Sequence, residues 1–235
     1  MTGTSLTSQR RDWQWCWNIP TPSLPMTGQV HSHVFIDGIY LPYGWCLLIA
    51  RNTTHVVAWQ WATYENSAAY TALFNQITPP DLVTTDGAGG ALKALHDVWP
   101  DTPVQRCLVH VHRNNTRDLT HRPATAAGKA LYGLSIRVLK VRTREEAAAW
   151  SGLLIQLHTQ YEAFFKERTY ARDVPANQRR EGRTWWYTHE RDRRVYHRLA
   201  RLQQDGSLFA FLSFDPARER TTNPVESVNA PPDSA

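Results

Sequence analysis

Two kinds of hydrophobic periodicity divide the chain. Up to about residue 110 the apolar positions fall in short β-branched and aromatic runs: Val34 to Asp37 (an apolar run that ends on an acid), the continuous Trp45 to Ala50 (WCLLIA) and Val56 to Trp61 (VVAWQW). Each reads as a buried strand, and the short connections between them predict an antiparallel meander. Glu65 to Gln76 carries Ala69, Leu73 and Phe74 on one side, which predicts a helix stopped by Pro79-Pro80. Leu82 to Thr85 predicts a short strand ending at Asp86. Ala91, Leu92, Leu95 and Val98 predict a second helix, and Val104 to Val109 fits a fifth strand.

After His110 the extended runs mostly disappear. Trp150, Leu153, Leu154, Leu157, Tyr161, Phe164 and Phe165 keep helical spacing, and Thr143 with Glu146 three residues on forms a capping box ahead of them. Arg172 to Arg183 reads as a loop. Glu190 to Leu202 predicts a helix with Val195, Leu199 and Leu202 on one side and Arg191, Arg194, Arg198 and Arg201 on the other. A last short helix is predicted with Asn223 as N-cap and Pro224 and Glu226 in its first turn, ended by Pro231-Pro232. The pattern divides the chain into an irregular lead-in (1–30), a β-rich unit (31–112), a helical basic insertion (113–215) and a final helix (216–235). The lead-in holds Trp13, Trp15 and Trp17 around Cys16, and its role is not readable.

Charge sharpens the division. The chain has 26 Lys+Arg against 21 Asp+Glu, a net +5. Between Arg106 and Arg201 the counts are 20 and 9, hence +11, which leaves 6 and 12, hence −6, for the remainder. A segment so basic is either a solvated helical face or a surface for a polyanion, nucleic acid first. Arg106, Arg113, Arg191, Arg194 and Arg198 are the candidate phosphate contacts. Trp185, beside Trp186 and Tyr187, serves either core packing or stacking on an unpaired base. No apolar run reaches the length of a membrane span. Three widely spaced cysteines do not form a disulfide framework, which points to a reducing cytoplasm.

Three acids stand out by position. Asp37 follows a buried apolar run, Asp86 ends a strand ahead of Gly87, Gly89 and Gly90, and Glu226 lies in the late helix. Each has an ordinary reading, as a turn residue, a turn or N-cap residue, and a capping-box carboxylate respectively. Together they suit phosphoryl transfer by two cations about 3.5–4 Å apart, and an all-oxygen ligand set selects Mg²⁺ or Mn²⁺. Cys107 and His110, with His112 nearby, lack an evident fourth partner for zinc.

The wording VFIDGIYL, VTTDGAGG, QRCLVHVHRN and TTNPVES resembles the Mutator-like family of bacterial insertion-sequence transposases, from His33 to Asn229. That resemblance implies an α/β, RNase H-like catalytic core: a mixed sheet of an antiparallel meander plus parallel strands, flanking helices and a largely helical insertion. It implies a DDE transposase that cleaves DNA and transfers strands, with Asp37, Asp86 and Glu226 holding two Mg²⁺ or Mn²⁺ ions. Cys107 and His110 match the family's Cys-x-x-His signature near the active site. The implied partners are element-end and target DNA, with a homo-oligomer as the active form, no membrane, and a bacterial cytoplasmic, nucleoid-associated location. Measured against the family the chain is short at both ends, with 36 residues before Asp37. A catalytically inactive, truncated remnant that only binds DNA or oligomerises is therefore the alternative expectation. A cellular nuclease of the same fold is a third.

Overall fold

A computed structural model describes residues 27–41, 44–214, 221 and 222. The Trp13–Trp17 cluster and Glu226, with the helix expected around it, lie outside the described residues. The three apolar runs form strands β1 (Val34–Leu41), β2 (Trp45–Arg51) and β3 (Val56–Ala62). They pair as the expected antiparallel meander. Strand β4 (Val83–Thr85) adds parallel to the other side of β1, and β5 (Val104–Arg106) adds parallel to β4. The result is a five-stranded mixed sheet in the order β3-β2-β1-β4-β5.

Alternation along β1 decides which face meets what. Val34 and Ile36 join a buried cluster with Tyr70, Leu73 and Phe74 of helix α1 (Ser67–Phe74). Ala91, Ala94 and Leu95 of α2 (Gly89–Val98) belong to the same cluster. Phe35 and Ile49 point to the opposite face. There α3 (Leu108–Leu119) contributes Leu108 and Val111 to a second, larger cluster. That cluster continues through α4 (Ala126–Arg137), α5 (Arg144–Lys166) and α6 (Glu190–Gln204). The capping box at the start of α5 forms as expected, with Thr143 and Glu146 exchanging hydrogen bonds. Between α5 and α6 a two-stranded ribbon pairs β6 (Arg168–Tyr170) with β7 (Trp185–Tyr187).

Three boundaries differ from the sequence reading. Strand β1 does not end at Asp37 but continues through Gly38 to Leu41, so Asp37 sits inside the strand rather than at its end and faces Ile49 across the antiparallel ladder. The first helix is shorter than Glu65 to Gln76, because the Asn66 side chain accepts from the Ala69 N–H and caps it there. Strand β5 ends at Arg106 rather than Val109. Leu108 and Val111, three apart, turn the apolar run into a helical face against the second cluster. The outer edge of β5 is covered: Arg106 N–H donates to the Ser207 carbonyl, and the Gln105 side chain donates to the Leu208 carbonyl and accepts from Phe211 N–H.

Candidate active site

The register of the parallel pair sets the site. Val34, Phe35 and Ile36 align with Val83, Thr84 and Thr85. One residue further on stand Asp37 and Asp86, side by side where β4 ends and β1 continues alone on that side. Two acids far apart in sequence are thus brought to β1 and to the end of its neighbour β4. Asp86 is fixed by its own loop: its Oδ1 accepts from the Ala88 N–H at 2.9 Å and from the Thr85 hydroxyl at 3.4 Å. Asp37 Oδ1 accepts from the Gly38 N–H at 3.0 Å.

A third carboxylate, which the sequence placed inside a helix, belongs to the same site. Glu65 lies just ahead of α1 and packs over Gly38, where an added Cβ would meet Glu65 Oε1 at 2.2 Å. The Tyr70 hydroxyl donates to Glu65 Oε2 at 3.3 Å. Burial, and then the charge of Asp86, raise the Glu65 pKa above the ordinary carboxylate range, against the Tyr70 hydrogen bond that lowers it. Tyr70 itself is pushed far above the usual phenol value by burial and by Glu65, Asp86 and Asp37, so it remains a donor. A carboxyl raised by a neighbouring acid in this way marks a locus of negative potential suited to a cation.

Linkage gives this cluster a testable sign. A carboxyl whose folded pKa is raised favours folding below its unfolded value, and that contribution is lost as pH rises through the folded value. Glu65→Gln, which keeps an acceptor for Tyr70, should therefore raise the unfolding midpoint at pH 7.5 without divalent cations. The expected rise is about 2 °C, small because the half-buried carboxyl is partly screened by solvent. It should vanish as the pH falls to the ordinary glutamate range. Melting curves between pH 4.5 and 8 test this, and a difference independent of pH would contradict it.

On the other side of Asp86, Arg106 turns inward. Its guanidinium donates to the Asp86 carbonyl at 2.7 Å and lies against Gly87, whose φ is +85°. Its Nε is buried with no partner among the described residues. Arg106 therefore braces the Asp86 loop from within. Cys107 caps α3, and its N–H donates to the Thr85 carbonyl, one residue before Asp86. His110 follows one turn later in α3. Burial pushes the Cys107 thiol up, but hydrogen bonds from His110 and Thr222 outweigh it and leave the pKa lowered. The same bond raises the His110 pKa against the effect of burial, with Cys107, Asp86 and Asp37 adding to the rise. Cys107 is tied to Thr85, and Asp86 and Asp37 act electrostatically on His110.

The candidate phosphate contacts divide into three kinds. Arg113 and Arg191 are exposed on α3 and α6. Arg194 and Arg198 are held by Asp118 of α3 at 2.9 and 2.6 Å, and Arg198 also donates to Asn115 at 2.8 Å. Arg198 is mainly an interhelical tie, whereas Arg194 remains exposed. Trp185 is exposed on the ribbon with the Arg168 guanidinium 4.1 Å over its ring, while Trp186 is buried. A cleft beside the ribbon, lined by Arg180, Arg183, Tyr187, Arg193, Arg194 and His197, was not visible in the sequence. Its Glu190 neutralises part of that charge through Arg180.

The donors at Asp37 and Asp86 are all oxygen, which suits a hard divalent cation. Among the described residues no three His, Cys, Asp or Glu side chains gather closely enough to hold a metal ion. A complete ligand set therefore needs a further group. Among the described residues no helix is long and apolar enough to cross a membrane.

Residues 53–134 match the family described as "Transposase, Mutator family". That span takes in Asp86, Cys107 and His110. The chain is also similar to the "Transposase for insertion sequence element IS905" of Lactococcus lactis subsp. lactis (strain IL1403), 32% identical over 100 residues. The match covers 36% of this chain and 26% of that protein, so the chain aligns with about a quarter of the relative's length.

Proposed function

We propose that this chain, which belongs to the Mutator family of insertion-sequence transposases by its residues 53–134, works as a DDE transposase that cleaves and joins DNA strands. The observation that carries this reading is that Asp37, within β1, and Asp86, just past the end of the neighbouring parallel strand β4, each follow the last aligned pair of the two strands, Ile36 and Thr85. We read the sheet as an RNase H-like core, which its order of an antiparallel meander followed by two parallel strands supports. Asp37 and Asp86, completed by Glu226, would hold Mg²⁺ or Mn²⁺, in the two-ion form expected of such sites. When bound, these ions supply charge stabilisation for phosphoryl transfer.

The chain's own groups do the rest. Arg106 and the Ala88 N–H fix the Asp86 loop, and the protonated Tyr70 hydroxyl orients Glu65. The attacking group is water or a DNA 3′-hydroxyl rather than a side chain. DNA would lie along the basic helical segment, with Arg113, Arg191 and Arg194 on phosphates and the Arg180–Arg193 cleft as a further anchor. Trp185 is the exposed ring available for stacking, and the active form is a homo-oligomer on element ends and target.

The test is nicking of a duplex bearing the element's terminal repeats by the purified chain. Mn²⁺ or Mg²⁺ should support nicking and a chelator should stop it. Binding should fall steeply with salt, by about 10³ or more between 50 and 200 mM if six or more phosphates are contacted. Salt-dependent binding with no divalent-dependent nicking would leave DNA binding alone as the function.

A further inference from the structure

The ribbon between α5 and α6 interleaves arginines with aromatic rings. Its cross-strand partners are Arg168 with Tyr187, Thr169 with Trp186, and Tyr170 with Trp185. Partners in an antiparallel pair share a face, and successive residues alternate between faces. Arg168, Tyr170, Trp185 and Tyr187 therefore stand on one face and Trp186 on the other. Trp186 is buried, which pins the ribbon to the body, while Tyr170 and Trp185 are exposed on the opposite face. The Arg168 guanidinium lies 4.1 Å over the Trp185 ring and 5.9 Å over Tyr187, and Arg193 of α6 lies 3.9 Å over Tyr187. The acids nearby are paired with other cations: Glu190 with Arg180 and Arg183, Asp173 with Arg172, Glu167 with His189. Among the described residues none forms an ion pair with Arg168 or Arg193.

We propose that Arg168 is a contact for the phosphates of the DNA backbone and that Trp185 is the positioning residue that holds it. This role rests on the reading of the basic helical segment as a DNA surface. An arginine stacked on a ring uses the flat face of its guanidinium and keeps its in-plane N–H donors, the edge that pairs with phosphate oxygens. An arginine bound by a carboxylate, such as Arg198 on Asp118, gives that edge to the acid instead. Held by a ring and exposed, Arg168 is open at the edge a phosphate needs. Fixing the side chain ahead of binding also lowers the ordering cost of the contact. Tyr187 carries the surface onward: its ring lies under both Arg168 and Arg193, and it lines the cleft with Arg180, Arg183 and Arg193. Ribbon and cleft therefore form one continuous basic strip. In this role Trp185 acts through Arg168, a duty separate from stacking on an unpaired base.

Binding of the full chain to a blunt-ended duplex tests this, with chelator present and no unpaired base to stack. Fluorescence anisotropy across about 50–200 mM salt gives both affinity and its salt dependence. Arg168→Gln should flatten the slope of log K against log salt by about 0.9, the loss of one phosphate contact. It should also weaken binding about tenfold, as expected for a charge-assisted hydrogen bond. Lys93→Gln removes a cation from α2, where it pairs with Asp97, and should leave the slope unchanged. Trp185→Ala should weaken binding about threefold, the worth of an exposed cation–π contact, and Trp185→Phe, which keeps a ring, should lose less. In the Arg168→Gln background, Trp185→Ala should add nothing. An unchanged slope in Arg168→Gln would overturn the proposal, and so would a full threefold loss from Trp185→Ala with the guanidinium already gone. A wild-type chain that binds the duplex without salt dependence would remove the DNA surface altogether. Steep wild-type salt dependence with an unaltered Arg168→Gln slope would remove only the ribbon's part in it.

Discussion

Asp86→Asn should reduce divalent-dependent nicking by at least about 10³, roughly 4 kcal/mol of transition-state stabilisation, with little change in thermal stability. The asymmetry follows from what each atom of Asp86 does. Its Oδ1 accepts from the Ala88 N–H and the Thr85 hydroxyl, and an asparagine carbonyl in the same place accepts both. The loop therefore survives, and the negative charge that a hard cation needs is lost. Removing that charge also relieves Glu65, whose carboxyl Asp86 pushes upward, so the metal-free protein should be no less stable and slightly more so at neutral pH. Asp37→Asn should behave alike, since it holds the matching position on β1. The control is Asp97→Asn on α2, an exposed acid paired with Lys93 far from the strand ends. It should leave nicking intact. Mn²⁺ binding by calorimetry gives a second readout, falling in both site variants and unchanged in Asp97→Asn. Retained nicking in Asp86→Asn would remove this carboxylate from the chemistry.

The sequence made much of this legible because strand and helix patterns are local. β1 to β3 followed from contiguous apolar runs, and α5 and α6 from stripes such as Val195, Leu199 and Leu202. What it could not give were contacts made across the sheet. Asp37-Gly38 looked like a turn because glycine after aspartate usually marks one. In the fold Gly38 stays in the strand, and its missing side chain leaves room for the Glu65 carboxylate. Glu65 was folded into the first helix because Asn66, the real N-cap, gave no stronger signal than its neighbours. Leu108 and Val109 extended a strand on paper, since a short apolar run carries no period. The arginines of α6 read as one solvated row, but Asp118 and Asn115 on α3 claim Arg198, and Asp118 also pairs with Arg194. Arg106, counted among surface cations, is buried against Gly87. Thr222 carried no motif of its own, and only its docking on Cys107 and His110 brought it into the site.

Gly87→Ala should destabilise the chain by about 3 kcal/mol and suppress the same activity as the loss of Asp86, though through displacement rather than charge. Two independent costs meet at this position. Gly87 has φ of +85°, a region that costs an L side chain on the order of 1–2 kcal/mol. The added methyl would also fall 1.8 Å from the centre of the Arg106 guanidinium, which is packed between the glycine and the body of the protein. Arg106 cannot swing aside cheaply: it is buried, and it donates to the Asp86 carbonyl. Moving it breaks a charge-assisted hydrogen bond worth about 1.5–3 kcal/mol and strands a buried cation. For a chain of this size the total corresponds to a fall of roughly 6–12 °C in the unfolding midpoint. Gly89→Ala is the comparison, since a Cβ there meets nothing within 4 Å and the residue opens α2. It should be neutral or slightly stabilising. Arg106→Ala in the Gly87→Ala background separates the two costs. If the clash dominates, removing the guanidinium recovers part of the lost stability, and if backbone strain dominates it recovers none. In either case Asp86 loses the group that holds its carbonyl, so Mn²⁺ affinity should stay low in the double variant even where the fold is restored.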